Sequence, residues 1–241
     1  MTDNLSLGHL KITPGGLPDF VSFVDEAIRK QGKEYSIPLN LTKYVVSKTD
    51  GKLRKAINSA GLVIADGVPI RWLSRRLGYD GVRRVSGIEL AEALLKQSRS
   101  RGWRFFLLGA TPANLERAII YMGEEFDEPL IVGSHHGYFK PREVDRLLDT
   151  INAVAPDILL LGLGMPQKEY FIDDHLHRMN AHFCLPVGGA FDIWAQTKKR
   201  SHAMIQNLGL EWLQRSIYNR AKARNIIKHG LVFFKDYLSI K

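Results

Sequence analysis

Short apolar runs recur along the chain, separated by longer stretches in which apolar residues return every three or four positions. The runs Ser36–Leu39, Leu62–Ala65, Arg104–Leu108, Leu130–Val132, Ile158–Leu161 and Phe183–Val187 read as strands. Ile158-Leu159-Leu160-Leu161 is apolar throughout, as expected when both faces of a parallel sheet are covered. Between the runs, Leu41–Asn58, Gly87–Arg101, Pro112–Phe126, Pro141–Ala155 and Gln167–Met179 read as amphipathic helices. Such alternation predicts a doubly wound α/β domain.

In open α/β sheets, ligands bind beyond the carboxyl ends of the strands. Here those ends read Asn40, Asp66-Gly67, Gly109-Ala110-Thr111-Pro112, Gly162-Leu163-Gly164-Met165-Pro166 and Gly188-Gly189-Ala190-Phe191-Asp192. Five small or polar turns after five strands outline a site open to ligand phosphates. Asp66-Gly67, just before Pro69, fits a helix N-cap. It equally fits a sheltered carboxylate acting as general base on an attacking hydroxyl. Arg83 and Arg84 are either surface arginines or positive charge for phosphates. Gly109, Ala110 and Thr111 make a well-formed turn into a helix, and the same exposed helix N–H groups would bind an anion. The turn through Gly164, Pro166 and Gln167 offers the same two readings. Gly188 and Gly189 permit close backbone approach, and Asp192 could accept hydrogen bonds from a ribose or base. A tight turn with Phe191 and Trp194 in the core is the other reading of that segment.

Several chemistries find no motif. There is no Gly-Lys-Ser/Thr phosphate loop, no GxGxxG fingerprint and no GxSxG elbow. His135-His136 and His175/His177 lack HExxH, DxD or Cys/His spacing, so no metal is expected, nor any cofactor. The single cysteine, Cys184, excludes an intramolecular disulfide, fits a reducing compartment and reads as inert core. The N-terminus has no apolar run of the signal-peptide kind, and the longest apolar stretch, Ile158–Met165, is far short of the roughly 20 residues that span a bilayer.

Charge singles out the end of the chain. The net charge is +9, and residues 198–241 hold ten Lys/Arg against two acids, almost the whole excess. A basic block beside a near-neutral body implies an anionic partner. This predicts a body over 1–195 and an appendage over 196–241. Over Asn225–Leu238 a helix would place Ile227, Leu231, Phe234 and Leu238 on one face, bordered by Arg224, Lys228 and Lys235. That design suits an anionic membrane surface, with stems buried and charged heads at lipid phosphates. The same apolar face would serve for packing on the body or between subunits of a homo-oligomer. Nucleic acid would need a basic groove that the near-neutral body lacks.

The strand-end motifs resemble those of the bacterial WecG/TagA/CpsF glycosyltransferase family. They are Ile64-Ala65-Asp66-Gly67-Val68-Pro69, Arg84-Val85-Ser86-Gly87, Phe106-Leu107-Leu108-Gly109-Ala110, His136-Gly137-Tyr138-Phe139, Leu161-Gly162-Leu163-Gly164-Met165-Pro166, Gly188-Gly189-Ala190-Phe191-Asp192 and Gly209-Leu210-Glu211-Trp212-Leu213-Gln214-Arg215. They run in family order over about residues 36–220. The resemblance implies a Rossmann-like parallel sheet flanked by helices, with a basic helical appendage that binds membrane. It implies an inverting, metal-independent transferase with a UDP-sugar donor and an undecaprenyl-diphosphate-linked acceptor, making cell-surface polysaccharide. It places the protein in the cytoplasm, peripheral on the inner face of the plasma membrane. Asp66 becomes the catalytic base, with Asn40 and Arg84 in the donor site. Arg215, with Arg220, Lys222 and Arg224, becomes a contact to the diphosphate and membrane, beside Lys228.

Four departures fall near the implied substrates. Pro38 stands where the family usually has Thr, Lys168 where it has Gln, Ser201-His202 where it has Ala-Pro, and Asn219-Arg220 where it has Glu-Pro. They leave room for a donor sugar other than the N-acetylmannosamine of the best-known relatives, and for a non-catalytic nucleotide-sugar or polyanion-binding scaffold. An NAD(P)-dependent oxidoreductase is disfavoured by the missing fingerprint.

Overall fold

The computed structural model describes residues 4–198 and 220–239, the latter with side chains from Ile227 onward. A small antiparallel hairpin, β1 (Leu5–Leu7) and β2 (Leu10–Ile12), stands apart from the main sheet. That sheet comprises β3 (Glu34–Leu39), β4 (Leu62–Ala65), β5 (Arg104–Gly109), β6 (Leu130–His135), β7 (Ile158–Gly162) and β8 (Phe183–Pro186). The order is β4-β3-β8-β7-β5-β6 and every pairing is parallel. The expected α/β sheet is therefore present.

Successive residues of each strand enter different cores, as the pleat requires. Ile37, Val63, Phe106, Leu108, Leu159 and Leu161 join one core with residues of α2 (Leu41–Val46), α3 (Gly51–Ser59), α4 (Val68–Arg76), α8 (Val144–Val154) and α9 (Gln167–His175). Leu62, Ile64, Phe105, Leu107, Leu160 and Leu185 join the other, with α1 (Leu17–Arg29), α5 (Gly87–Leu95), α7 (Pro112–Glu125) and α10 (Ala190–Trp194). Each such side chain contributes roughly 1.5–3 kcal/mol by leaving water. The short helix α6 (Ser98–Arg101) and the C-terminal α11 (Arg220–Ser239) complete the set described here.

The helices depart from expectation mainly at their ends. The stretch Leu41–Asn58 is two helices, because Asp50 accepts a hydrogen bond from Leu53 N at 2.9 Å and starts a new one. Gly87–Arg101 likewise divides into α5 and α6, and 3-10 turns replace the start of α8 and follow the end of α9. The hairpin, α1 and α10 had no counterpart among the expected elements, while α4 is the helix that the Asp66-Gly67 turn allowed, with Gly67 as its N-cap.

The order of strands fixes where a ligand can enter. The helix after β5 (α7) belongs to one core and the helix after β7 (α9) to the other, so the two adjacent strand ends diverge. This is the topological switch point of the sheet. A second opening lies between β3 and β8, which pair only at Glu34↔Phe183 and Tyr35↔Cys184. Pro38 and Pro186 stand beyond that short ladder, where no cross-strand N–H is asked of them. The start of α5 fills the gap: a Cβ on Gly87 would lie 2.8 Å from Pro38 Cγ and 3.1 Å from the Pro186 carbonyl oxygen.

The helix α11 rests on α2. Phe233 is 1% exposed and meets Tyr44 edge-on at 5.8 Å, Asp236 pairs with Lys48, and the Arg76 guanidinium lies 5.1 Å above the Tyr237 ring. Ile227, Leu231, Phe234 and Leu238, the face expected to be apolar, are 48–71% exposed. Among the described residues, no helix is long and apolar enough to cross a membrane. The expected boundary after residue 195 borders residues 199–219, outside those described.

One substitution tests the packing at the switch point. A Cβ on Gly162 would fall 2.2 Å from Phe191 Cδ2. Gly162→Ala should therefore cost about 1–3 kcal/mol of stability in denaturant titration, and an unchanged unfolding midpoint would contradict this packing.

Candidate active site

Three loops meet at the carboxyl ends of β5, β6 and β7. Gly109 has φ +152°, and a Cβ there would lie 2.6 Å from Gly162 Cα, so both positions require bare backbone. A Cβ on Gly137 would meet Leu163 Cδ2 at 2.9 Å and Gly109 Cα at 3.2 Å. Ala110, also at positive φ, accepts a hydrogen bond from Gly137 N at 2.9 Å. Thr111 caps α7 by accepting from Asn114 N at 3.2 Å. The crevice floor is thus backbone against backbone, with a capped helix of 14 residues opening onto it. Gly164, Gln167 and Gly189 are exposed along its rim, and Pro166 and Gly188 are half-buried. Asp192 is tied to α7: it accepts from Asn114 Nδ2 at 2.9 Å and pairs with Lys198.

Asp66 lies at the other end of the sheet, beyond β4. Its backbone N–H donates to Leu39 O at 2.9 Å, and Val85 N donates to Ala65 O at 3.0 Å. The ends of β3 and β4 and the Arg84 segment are thereby bound together, with Arg84 beside Ala65 in a parallel bridge. Gly67, at φ +114°, is the N-cap of α4, so Asp66 stands one residue outside the helix, half-buried. Asn40 caps α2 by accepting from Lys43 N at 3.0 Å. Arg84 Nη2 donates to Glu89 Oε1 at 2.8 Å, while Glu89 Oε2 accepts from Ser86 N at 2.7 Å. Burial would push the Glu89 carboxyl up, but the Ser86 bonds and the Arg84 charge outweigh it and hold the carboxyl low. Arg84 is thus already balanced by an acid of its own chain.

A charged cluster that the sequence did not single out joins these two regions. Glu169, wholly buried on α9, lies 2.9 Å from Lys43 Nζ of α2 and 3.2 Å from Lys168 Nζ, both through Oε1. Lys43 Nζ also donates to the Pro38 carbonyl at 2.7 Å. Burial raises the Glu169 carboxyl, yet the two lysines prevail and keep it ionised. Burial and Lys43 together pull Lys168 down to about 8, against the opposing charges of Glu169 and Asp66. In the sequence Lys168 stands out only as an unusual residue for its position, and nothing in the spacing of Lys43 or Glu169 distinguishes them from surface residues.

Other candidates are placed elsewhere. Cys184 is buried and its thiol is pushed up to about 12 by that burial, consistent with an inert core residue. His135 and His136 pack ring against ring at 4.5 Å. Among the described residues, no group of three or more His, Cys, Asp or Glu is placed to hold a metal. Arg215 lies outside the described residues, as do the side chains of Arg220, Lys222 and Arg224; Lys228 is exposed on α11.

The cluster imposes a pH signature. Between about 8 and 10.5 the unfolded chain still holds the Lys168 proton that the folded chain has released. Stability from this group therefore rises with pH across that window. The unfolding free energy of the native protein minus that of Lys168→Gln should increase from pH 8 to 10.5; parallel profiles would contradict the assignment.

The sequence model of the glycosyl transferase WecG/TagA/CpsF family matches residues 5–240, nearly the whole chain and all of the crevice described above. The chain therefore belongs to the WecG/TagA/CpsF family of glycosyltransferases, which act in cell-surface polysaccharide synthesis with a nucleotide-sugar donor and a lipid-linked acceptor.

Proposed function

We propose that the protein transfers a sugar, with inversion, from a UDP-sugar to a sugar carried on undecaprenyl diphosphate, at the cytoplasmic face of the plasma membrane. The observation that carries this reading is the half-buried Asp66 at the end of β4, facing the same side of the sheet as the glycine-floored crevice of β5 and β7. The donor diphosphate lies in that crevice, where bare backbone admits it and the N-terminus of α7 offers N–H groups and a favourable dipole. Asn40 donates from its amide to the donor sugar or ribose. Asp66 accepts the proton of the acceptor hydroxyl. The hydroxyl oxygen forms its bond to the anomeric carbon as the bond to the diphosphate oxygen breaks, and UDP leaves with that electron pair. Positive charge and oriented N–H groups, from this body and from the basic appendage, stabilise the departing anion.

The appendage brings the acceptor. The α11 face of Ile227, Leu231, Phe234 and Leu238 is turned away from the body, and Lys228 and Lys235 are exposed beside it. Such a helix lies in a bilayer interface, apolar side inward, with its lysines at lipid phosphates.

Two experiments test this reading. Asp66→Asn should reduce turnover of a UDP-sugar with a lipid-linked acceptor by about 100-fold or more while leaving UDP binding intact; unchanged turnover would show that Asp66 is not the base. Leu231→Asp with Leu238→Asp should lower partitioning into phosphatidylglycerol vesicles by at least about tenfold, given the apolar area withdrawn. If partitioning holds and sedimentation shows a changed oligomeric state instead, the face is a subunit contact.

A further inference from the structure

We propose that Lys168 is an anion-binding residue of the donor site, taking an anionic oxygen of the sugar nucleotide as it lies between the crevice and Asp66. The proposal rests on the donor placement above. Lys43, Lys168 and Glu169 are all buried, two cations to one carboxylate. Lys43 has the closer contact to Glu169 Oε1, 2.9 Å, and also holds the Pro38 carbonyl at 2.7 Å. Lys168 has only a share of that same oxygen, at 3.2 Å, although an ammonium carries three donors. A tie between α2 and α9 needs Lys43 and Glu169 alone. The second lysine adds a buried charge whose desolvation is offset only in part by the shared Glu169 oxygen and the half-buried Asp66.

Position gives the extra charge a use. Lys168 is the second residue of α9, directly after the Gly162–Pro166 loop that lines the crevice, and its backbone N–H donates to Gly164 O at 3.1 Å. Its side chain reaches the neighbourhood of Lys43, at the start of α2 beyond β3, and feels the charge of Asp66 beyond β4. The strands β7 and β4 stand three places apart in the sheet, roughly 14 Å at ordinary spacing. With the anomeric carbon one oxygen away from the diphosphate, it is the diphosphate, the sugar ring and the acceptor hydroxyl held by Asp66 that together fill that interval, which Lys168 adjoins. The groups facing the ammonium are Lys43 from α2, Glu169 from α9 and Asp66 from the end of β4. Arg84 is balanced by Glu89, whereas Lys168 shares its Glu169 oxygen with Lys43.

The anionic oxygen has two possible sources, the diphosphate and a carboxylate on the sugar ring. Calorimetric titration of the full-length protein and of Lys168→Gln with UDP, UDP-glucose and UDP-glucuronate, from pH 7 to 9.5, separates them. The expected result is an affinity lower by about tenfold or more in the variant near pH 7. It is joined by a native affinity that falls as pH rises through about 8, and by a variant profile that is flat. A loss for all three ligands assigns the diphosphate; a loss for UDP-glucuronate alone assigns the carboxylate. Equal affinities in the two proteins overturn the proposal, and so does a general loss in which the variant keeps the native pH dependence. Should the variant not fold, a native profile that is flat across this range overturns it. If the native protein binds none of the three, the UDP-donor reading fails and this inference falls with it.

Discussion

A carboxylate with no exposure to water stays ionised only where neighbouring charges or hydrogen bonds compensate its burial, and Glu169 has two lysines beside it. It draws Lys43 from α2 and Lys168 from its own helix to one oxygen atom, and so ties together α2 and α9, the helices that follow β3 and β7. Asn40, which caps α2, and Asp66, hydrogen-bonded through its backbone to the end of β3, take their positions from the same corner. The Pro38 carbonyl accepts from Lys43, so a residue that cannot supply a side-chain hydroxyl still takes part through its backbone. The chemistry is assembled around a buried ion cluster on one side and a floor of glycines on the other.

The glycine floor and the ion cluster solve different problems. Gly109, Gly137 and Gly162 let three loops touch where a β-carbon would collide, which opens the switch point of the sheet to a backbone-hugging ligand. The cluster supplies charge near Asp66 in a setting of low dielectric, where charge acts over longer distances than in water. Together they span the distance between the crevice and the carboxylate. The C-terminal helix is joined to this body by the buried ring of Phe233 against Tyr44 of α2, by the Asp236–Lys48 ion pair and by Arg76 over Tyr237. The C-terminal helix and Asn40 are thus both attached to the same short helix.

Much of this was legible in the chain. Leu62–Ala65 and Ile158–Leu161 announce themselves because buried parallel strands admit no polar residue, and their ends could be searched for chemistry. Asp66 and the glycines stand at those ends. The helix breaks were less legible, since Asp50 looks like any polar residue until its carboxylate is seen to cap Leu53 N. The hairpin strands are three residues each, too short for periodicity to mark them. Lys43 and Glu169 were illegible for a deeper reason: in a chain with 34 Lys and Arg, burial of one particular lysine is decided by a partner 126 positions away. Arg84 was expected to meet phosphate, and its pairing with Glu89 was hidden because Glu89 also reads as an ordinary capping residue after Ser86.

The most direct test of the whole account is a crystal structure of the protein with UDP bound. The account predicts the diphosphate at the carboxyl ends of β5 and β7, against Gly109, Ala110 and Gly164, with the open side of the nucleotide turned toward Asp66. A nucleotide lodged away from that crevice, or with Asp66 on the far side of the sheet from its terminal phosphate, would contradict it.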